Sequence, residues 1–201
     1  MNGKIRKIKL SFPSFESYLA TEFDEQISSL NANLKDLSEE QFTHLGYLRN
    51  NRAAINRTLK SYLPSTEMVA SIKAISTPLN VFIIMENWCG SSAGNVPYIV
   101  KLLQENSQIK INIVPRDANP EFTDEYLTNG KRSIPKVITF DDKGNEIFVW
   151  GSASKMQAEF AATLQSQNLE FQDFVKEMQA WFVENNAKAI ESDFLEIFEK
   201  L

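Results

Sequence analysis

Residues 80–97 read NVFIIMENWCGSSAGNVP: a short apolar run, a tryptophan, the only cysteine of the chain and a cluster of small residues. The apolar run is typical of a strand that is buried on both faces. A helix is predicted from about Gly90 to Glu105, and a second strand at 109–114, where isoleucines alternate with polar side chains. Strand, helix and strand at this spacing predict a βαβ unit with parallel strands and a right-handed crossover.

The chain beyond this unit predicts a β-hairpin between two helices. Asn119–Pro120 begins a short helix and Asn129–Gly130 ends it. Strands are predicted at 134–140 and 146–150, joined by an Asp-Asp-Lys-Gly-Asn turn, and a further helix follows. Residues 79–166 therefore predict the order β-α-β-α-β-β-α, an α/β fold whose mixed four-stranded sheet is flanked by helices.

Both flanks of this core have helical patterns. An apolar stripe with steps of three and four residues predicts a first helix. The stripe consists of Phe23, Ile27, Leu30, Leu34 and Leu37. A capping box at Ser38 predicts a second helix, which Pro64 ends, and Ser65 or Thr66 caps a third.

Three parts of the chain follow from these patterns. Residues 1–78 are predicted to be a helical N-terminal extension packed on the core. Residues 79–166 form the core domain, and residues 167–201 hold C-terminal helices, at about 169–184 and 187–200.

The composition excludes several classes of function. The 201 residues include 21 Lys and Arg against 26 Asp and Glu, a net charge of −5 that argues against nonspecific nucleic-acid binding. One cysteine excludes an internal disulfide and a Cys-rich zinc site, and His44 as the one histidine excludes two-His zinc motifs. The basic start, Met1–Leu10, lacks a following apolar region, and no apolar run reaches ~20 residues. We therefore expect a cytoplasmic protein without membrane or nucleic-acid partners.

The motif Trp88-Cys89-Gly90-Ser91-Ser92 resembles the active site of the thioredoxin family. Three other features are similar to that family: Pro97 five residues after Ser92, Ile134–Pro135 at the start of a strand, and Gly151 after the last strand. The resemblance covers about residues 79–166 and implies a thioredoxin-like fold with helical extensions at both ends.

The chain departs from the family at two positions. The family motif is Cys-x-x-Cys, and Ser92 stands where the second, resolving cysteine is found. Dithiol exchange needs both thiols, because the second releases the mixed disulfide that the first forms, so dithiol thioredoxin activity is excluded. Ile83 stands where many thioredoxins carry a buried acid, which leaves Glu86 as a possible substitute.

A single reactive thiol remains chemically sensible at Cys89. The predicted position at the start of a helix favours the thiolate, and we expect Ser92 Oγ to donate a hydrogen bond to the sulfur. A buried, inert cysteine is the alternative. The resemblance implies that Pro135 is a cis-proline facing Cys89 and that the Ile134 backbone pairs with substrate.

The resemblance also implies that Trp88, Gly90 and Ser91 border the bound substrate. In open α/β sheets, ligands lie beyond the carboxyl ends of the parallel strands. Arg116 follows the second strand there, and we expect Arg132 at the same rim. A cation at the rim either stabilises the thiolate or binds a carboxylate of a small thiol partner. In the alternative, Arg116 and Asp117 form an ion pair or a contact that fixes the loop.

Two functions stay open on this basis. The first is a monothiol disulfide oxidoreductase, in which Cys89 exchanges with a protein or low-molecular-weight disulfide and an external thiol resolves the product. The second is a redox-inactive thioredoxin-fold module that binds proteins through the same groove. CGSS is also similar to the CGFS of monothiol glutaredoxins, but the Gly-Gly-Cys/Ser-Asp segment typical of that family is absent. We expect no cofactor and no metal, and the oligomeric state stays open.

Overall fold

We obtained a computed structural model that describes residues 12–201, so the basic segment Met1–Leu10 lies outside the described residues. The helices are α1 Phe15–Tyr18, a π-helix Leu19–Glu25, α2 Gln26–Ala32, α3 Glu39–Ser61, α4 Thr66–Ala74, α5 Gly90–Leu103, α6 Pro120–Thr123 with a 3₁₀ turn Asp124–Tyr126, α7 Lys155–Ser166 and α8 Phe171–Phe198. The strands are β1 Leu79–Met85, β2 Ile109–Pro115, β3 Lys136–Asp141 and β4 Glu146–Gly151.

The four strands form one mixed sheet in the order β2-β1-β3-β4. β1 and β2 are parallel, with Val81 opposite Ile111, whereas β3 runs antiparallel to both of its neighbours, β1 and β4. Helix α5 connects the two parallel strands. The predicted α/β fold, with a mixed four-stranded sheet, flanking helices and helices before and after, is confirmed.

The sheet is covered on both faces. Ile83 and Ile84, neighbours on β1, are both fully buried but belong to different apolar clusters, because successive side chains of a strand point to opposite faces. The larger cluster includes Leu48 and Ile55 of α3 and Phe194 of α8. The helices that precede and follow the core therefore share its apolar interior.

The first helical segment is shorter than predicted. α1, the π-helix and α2 continue one another and end at Ala32, and Leu34 is 45% exposed instead of lying on a buried stripe. Asn33 Nδ2 donates to the Ser29 carbonyl, a local bond that favours the end of a helix. The predicted capping box is confirmed, since the Gln41 N–H donates to Ser38 Oγ.

The C-terminal segment is one helix instead of the predicted two. The predicted break lies near Asn185–Asn186, but α8 continues through this point. Asn186 is fully buried and its Nδ2 donates to the Gly94 carbonyl at 2.7 Å. A tertiary contact thus satisfies the amide nitrogen of a residue type that usually favours turns.

No helix within residues 12–201 combines the length and the apolar character needed to cross a bilayer.

Candidate functional site

Cys89 is the N-cap residue of α5. Its backbone is extended (φ −82°, ψ 112°), its carbonyl accepts the first helical bond from Ala93, and its side chain is half-buried. The Ser92 backbone N–H donates to Cys89 Sγ at 3.4 Å. The sulfur therefore lies at the end of α5 where backbone N–H groups have no helical partner.

The hydroxyl of Ser92 does not play the expected part. Ser92 is fully buried, and its Oγ makes no hydrogen bond with any residue between 12 and 201. The bond to the sulfur comes from the backbone instead, because an N-cap side chain meets the N–H of the third helical residue. Ser92, which stands where the family has its resolving cysteine, is therefore next to Cys89, but its side chain is buried in the interior.

The segment before β3 lies across from the cysteine. The Ile134–Pro135 peptide bond is cis, the geometry that the resemblance implies. The Ile134 carbonyl lies 3.8 Å from Cys89 Sγ and accepts from the thiol, while the Ile134 side chain is buried. Cys89 thus has a backbone carbonyl on one side and the start of a helix on the other.

The two rim arginines have other partners. Arg116 lies over the Trp88 ring, with its guanidinium carbon 4.7 Å from the ring centroid, and also pairs with Asp117 at 2.7 Å. Arg132 forms a two-bond ion pair with Asp124, at 2.6 and 2.7 Å. These contacts favour the loop-fixing alternative for Arg116, which holds the tryptophan next to the cysteine by a cation–π contact.

A buried clamp on Asn87 holds the segment that leads into Trp88 and Cys89. Asn51 Nδ2, from α3, donates to the Asn87 carbonyl at 2.8 Å. The side chain of Asn87 donates in turn to the Glu22 carbonyl at 2.7 Å and to Gln26 Oε1 at 3.2 Å. The N-terminal helices therefore position the turn that leads into Cys89, a contact that was not predicted from the sequence. The one signal was a polar Asn51 three residues after the buried Leu48 of α3.

Two further ionisable groups lie behind the turn. Burial raises the pKa of Tyr18, and negative charge on Glu86, Glu22 and Cys89 acts in the same direction. Tyr18 therefore stays a neutral phenol beside the cysteine. Burial also raises the pKa of Glu86, which accepts from the Asp117 N–H at 2.7 Å. Glu86 thus keeps a proton to a higher pH than an ordinary glutamate.

A large groove opens next to the thiol. Its volume is about 1970 Å³, and Trp88, Cys89, Gly90 and Ser91 all border it, together with α3 and α8. The rim arginines do not line it. Within residues 12–201, no three His, Cys, Asp or Glu side chains come together to hold a metal ion.

A family model described as thioredoxin matches residues 39–166. The chain belongs to the thioredoxin family. The match begins at Glu39, the first residue of α3, and so includes the helix whose Asn51 bonds to the turn before Cys89. No curated protein matches the sequence.

Two solved structures are similar to this thioredoxin-family chain in fold. An HIV epitope scaffold is 13% identical with a TM-score of 0.57, and the match covers 94% of this chain and 99% of the scaffold. A protein of unknown function from Pseudomonas aeruginosa is 13% identical with a TM-score of 0.56, covering 94% of this chain and 98% of that one. At this identity, the likeness concerns the fold alone.

Proposed function

We propose that this thioredoxin-fold protein is a monothiol disulfide oxidoreductase. The observation that carries the proposal is the placement of Cys89 Sγ, half-exposed at the start of α5 and accepting the Ser92 N–H. Reactive cysteines in other proteins are found at helix N-termini with partial exposure, whereas inert ones are sealed in apolar surroundings. The large groove beside the sulfur supports access for a substrate.

The reaction takes two exchange steps. The Cys89 thiolate attacks one sulfur of a disulfide R–S–S–R′, a bond forms between Cys89 Sγ and R–S, and R′–S⁻ leaves and takes a proton. An external thiolate R″–S⁻ then attacks the mixed disulfide, which releases R–S–S–R″ and restores Cys89. Each step breaks one S–S bond and forms another, so electrons balance without a cofactor.

Residues around the sulfur have supporting roles in this proposal. The Ile134 backbone, before Pro135, pairs with the substrate chain, and Trp88, Gly90 and Ser91 border it. Arg116 holds the Trp88 ring in place. Glu86, whose pKa burial raises, supplies the proton for the leaving thiolate in place of the acid that Ile83 replaces.

The second candidate is a redox-inactive module that binds proteins through the same site. Two observations favour it: Ser92 is a buried serine at the resolving position, and Ile83 is fully buried where an acid would assist the leaving thiol. In that case the groove binds a partner and the sulfur does not react.

Mass spectrometry of the intact protein separates the two candidates. Reduced protein is incubated with a cysteine-containing peptide disulfide under native conditions, and we expect a stable Cys89–peptide mixed disulfide that Cys89→Ser abolishes. Because Cys89 is half-exposed and its sulfur accepts one weak bond, Cys89→Ser should change the free energy of unfolding by less than about 1 kcal/mol.

Ser92→Cys serves as the matched variant. Its new thiol lies next to Cys89, so it should resolve the mixed disulfide and leave an internal disulfide instead of the trapped peptide. The redox-inactive alternative holds if the native protein forms no mixed disulfide while the urea-unfolded chain does.

A further inference from the structure

We propose that the groove beside Cys89 is a docking site for an amphipathic helical segment of a cysteine-containing protein. The exchange substrates are then protein disulfides presented on such segments. The redox part of this inference rests on the proposed function, whereas the docking part does not require a reactive thiol.

Two long helices, α3 and α8, form the walls of the groove, and hydrogen bonds hold both of them in place. Lys101 Nζ of α5 donates to the Leu59 carbonyl of α3 at 3.0 Å. Tyr62, just after α3, donates through its hydroxyl to Glu191 of α8 at 2.7 Å. Asn186 is bonded to Gly94. The groove lies between α3, which lines it along its whole length, and the first half of α8, with the start of α5 as its floor.

The two walls differ in polarity. The α8 wall is an apolar stripe with helical spacing, and its first member is 76% exposed. This stripe consists of Phe171, Phe174, Val175, Met178 and Phe182. The α3 wall is mostly polar and includes Thr43, His44, Asn50 and Arg57. An occupant that satisfies both walls has one apolar side and one side that forms hydrogen bonds.

The size of the groove favours a peptide over a small molecule. Its volume of about 1970 Å³ exceeds the roughly 300–1,000 Å³ of ordinary small-molecule sites. A helix of 10–12 Å diameter, rising 1.5 Å per residue, fills this volume with roughly 12–17 residues. Laying an apolar helix face in a groove is a common mode of peptide recognition.

The charges and the floor agree with this occupant. The charges along the groove sum to zero, because two acidic and two basic residues line it: Glu39, Glu40, Arg57 and Lys176. The apolar face of the ligand therefore decides binding. Against a lipid acyl chain the polar α3 wall would lose hydration without gaining hydrogen bonds, which disfavours that ligand. Gly90 leaves open space where a side chain would stand, so a peptide backbone reaches the neighbouring sulfur.

Binding of a labelled peptide tests the docking. The peptide has about 15 residues, one apolar helical face and one cysteine, and a scrambled peptide of equal composition is the reference. Cys89→Ser protein is used, so that affinity is measured without exchange. We expect the amphipathic peptide to bind and the scrambled one to bind at least tenfold more weakly.

Two matched variants locate the site. Phe171→Ser removes an exposed ring of the apolar wall and should weaken binding by about tenfold or more. Phe42→Ser removes a ring that is 60% exposed on α3 but does not line the groove, and it should leave affinity within about twofold. Both side chains are exposed, so the fold tolerates either change.

The outcomes separate docking from redox chemistry. Peptide binding without mixed-disulfide formation by the native protein supports docking and contradicts the proposed function. Exchange with small disulfides but equal affinity for both peptides contradicts docking and leaves the proposed function in place. Two further results would contradict docking if the affinity for the peptide stays unchanged in Phe171→Ser. The first is that this substitution abolishes concentration-dependent self-association, and the second is that it abolishes binding of a long-chain fatty acid.

Discussion

Replacing Asn51 with alanine breaks the clamp on Asn87, in the turn that leads into Cys89. The substitution removes the 2.8 Å hydrogen bond to the Asn87 carbonyl. Asn51 is 8% exposed and Asn87 is 5% exposed, so water does not easily replace the lost donor. A buried carbonyl left without a partner costs about 1–3 kcal/mol, and we expect the free energy of unfolding to fall by that amount.

Urea unfolding and native-state hydrogen exchange check this expectation. The m-value should stay unchanged, since the substitution affects stability without changing the surface exposed on unfolding. Amides of residues 87–89 should exchange faster than in the native protein, because the turn loses its hydrogen bond to α3.

Asn50→Ala is the matched control, since Asn50 is the preceding residue of the same helix and is exposed. The free energy of unfolding of Asn50→Ala should lie within about 0.5 kcal/mol of that of the native protein. If Asn51→Ala behaves like Asn50→Ala in both measurements, α3 does not hold the turn and the reasoning is wrong.

Two more substitutions give clear expectations. Because burial raises the pKa of Glu86, the native state keeps a proton that the unfolded chain has lost, and the contribution of Glu86 to stability declines as pH rises above 4.5. In urea unfolding, Glu86→Gln should therefore gain stability relative to the native protein between pH 4.5 and 7. Gly151 has φ +116°, and a Cβ there would lie 2.3 Å from the Pro135 carbonyl oxygen. Gly151→Ala should therefore lower the free energy of unfolding by more than about 2 kcal/mol, and a thermal midpoint equal to that of the native protein would contradict this expectation.

Local patterns in the sequence were enough to predict the architecture. The apolar run before Glu86, the alternation at 109–114 and the Ser38 capping box act within a few residues, so they can be read before the chain is folded. The same holds for the start of α5 at Cys89, because an N-cap is defined by its own next three residues.

Contacts between distant parts of the chain decided the rest. Asn87 meets Asn51 and Glu22, which are 36 and 65 residues away, and no periodicity reports such pairs. Asn186 continues a helix instead of ending one because Gly94 lies against it. The groove exists only where α3 and α8 pass the start of α5, so its size and its two unlike walls depend on packing that no short stretch of residues encodes.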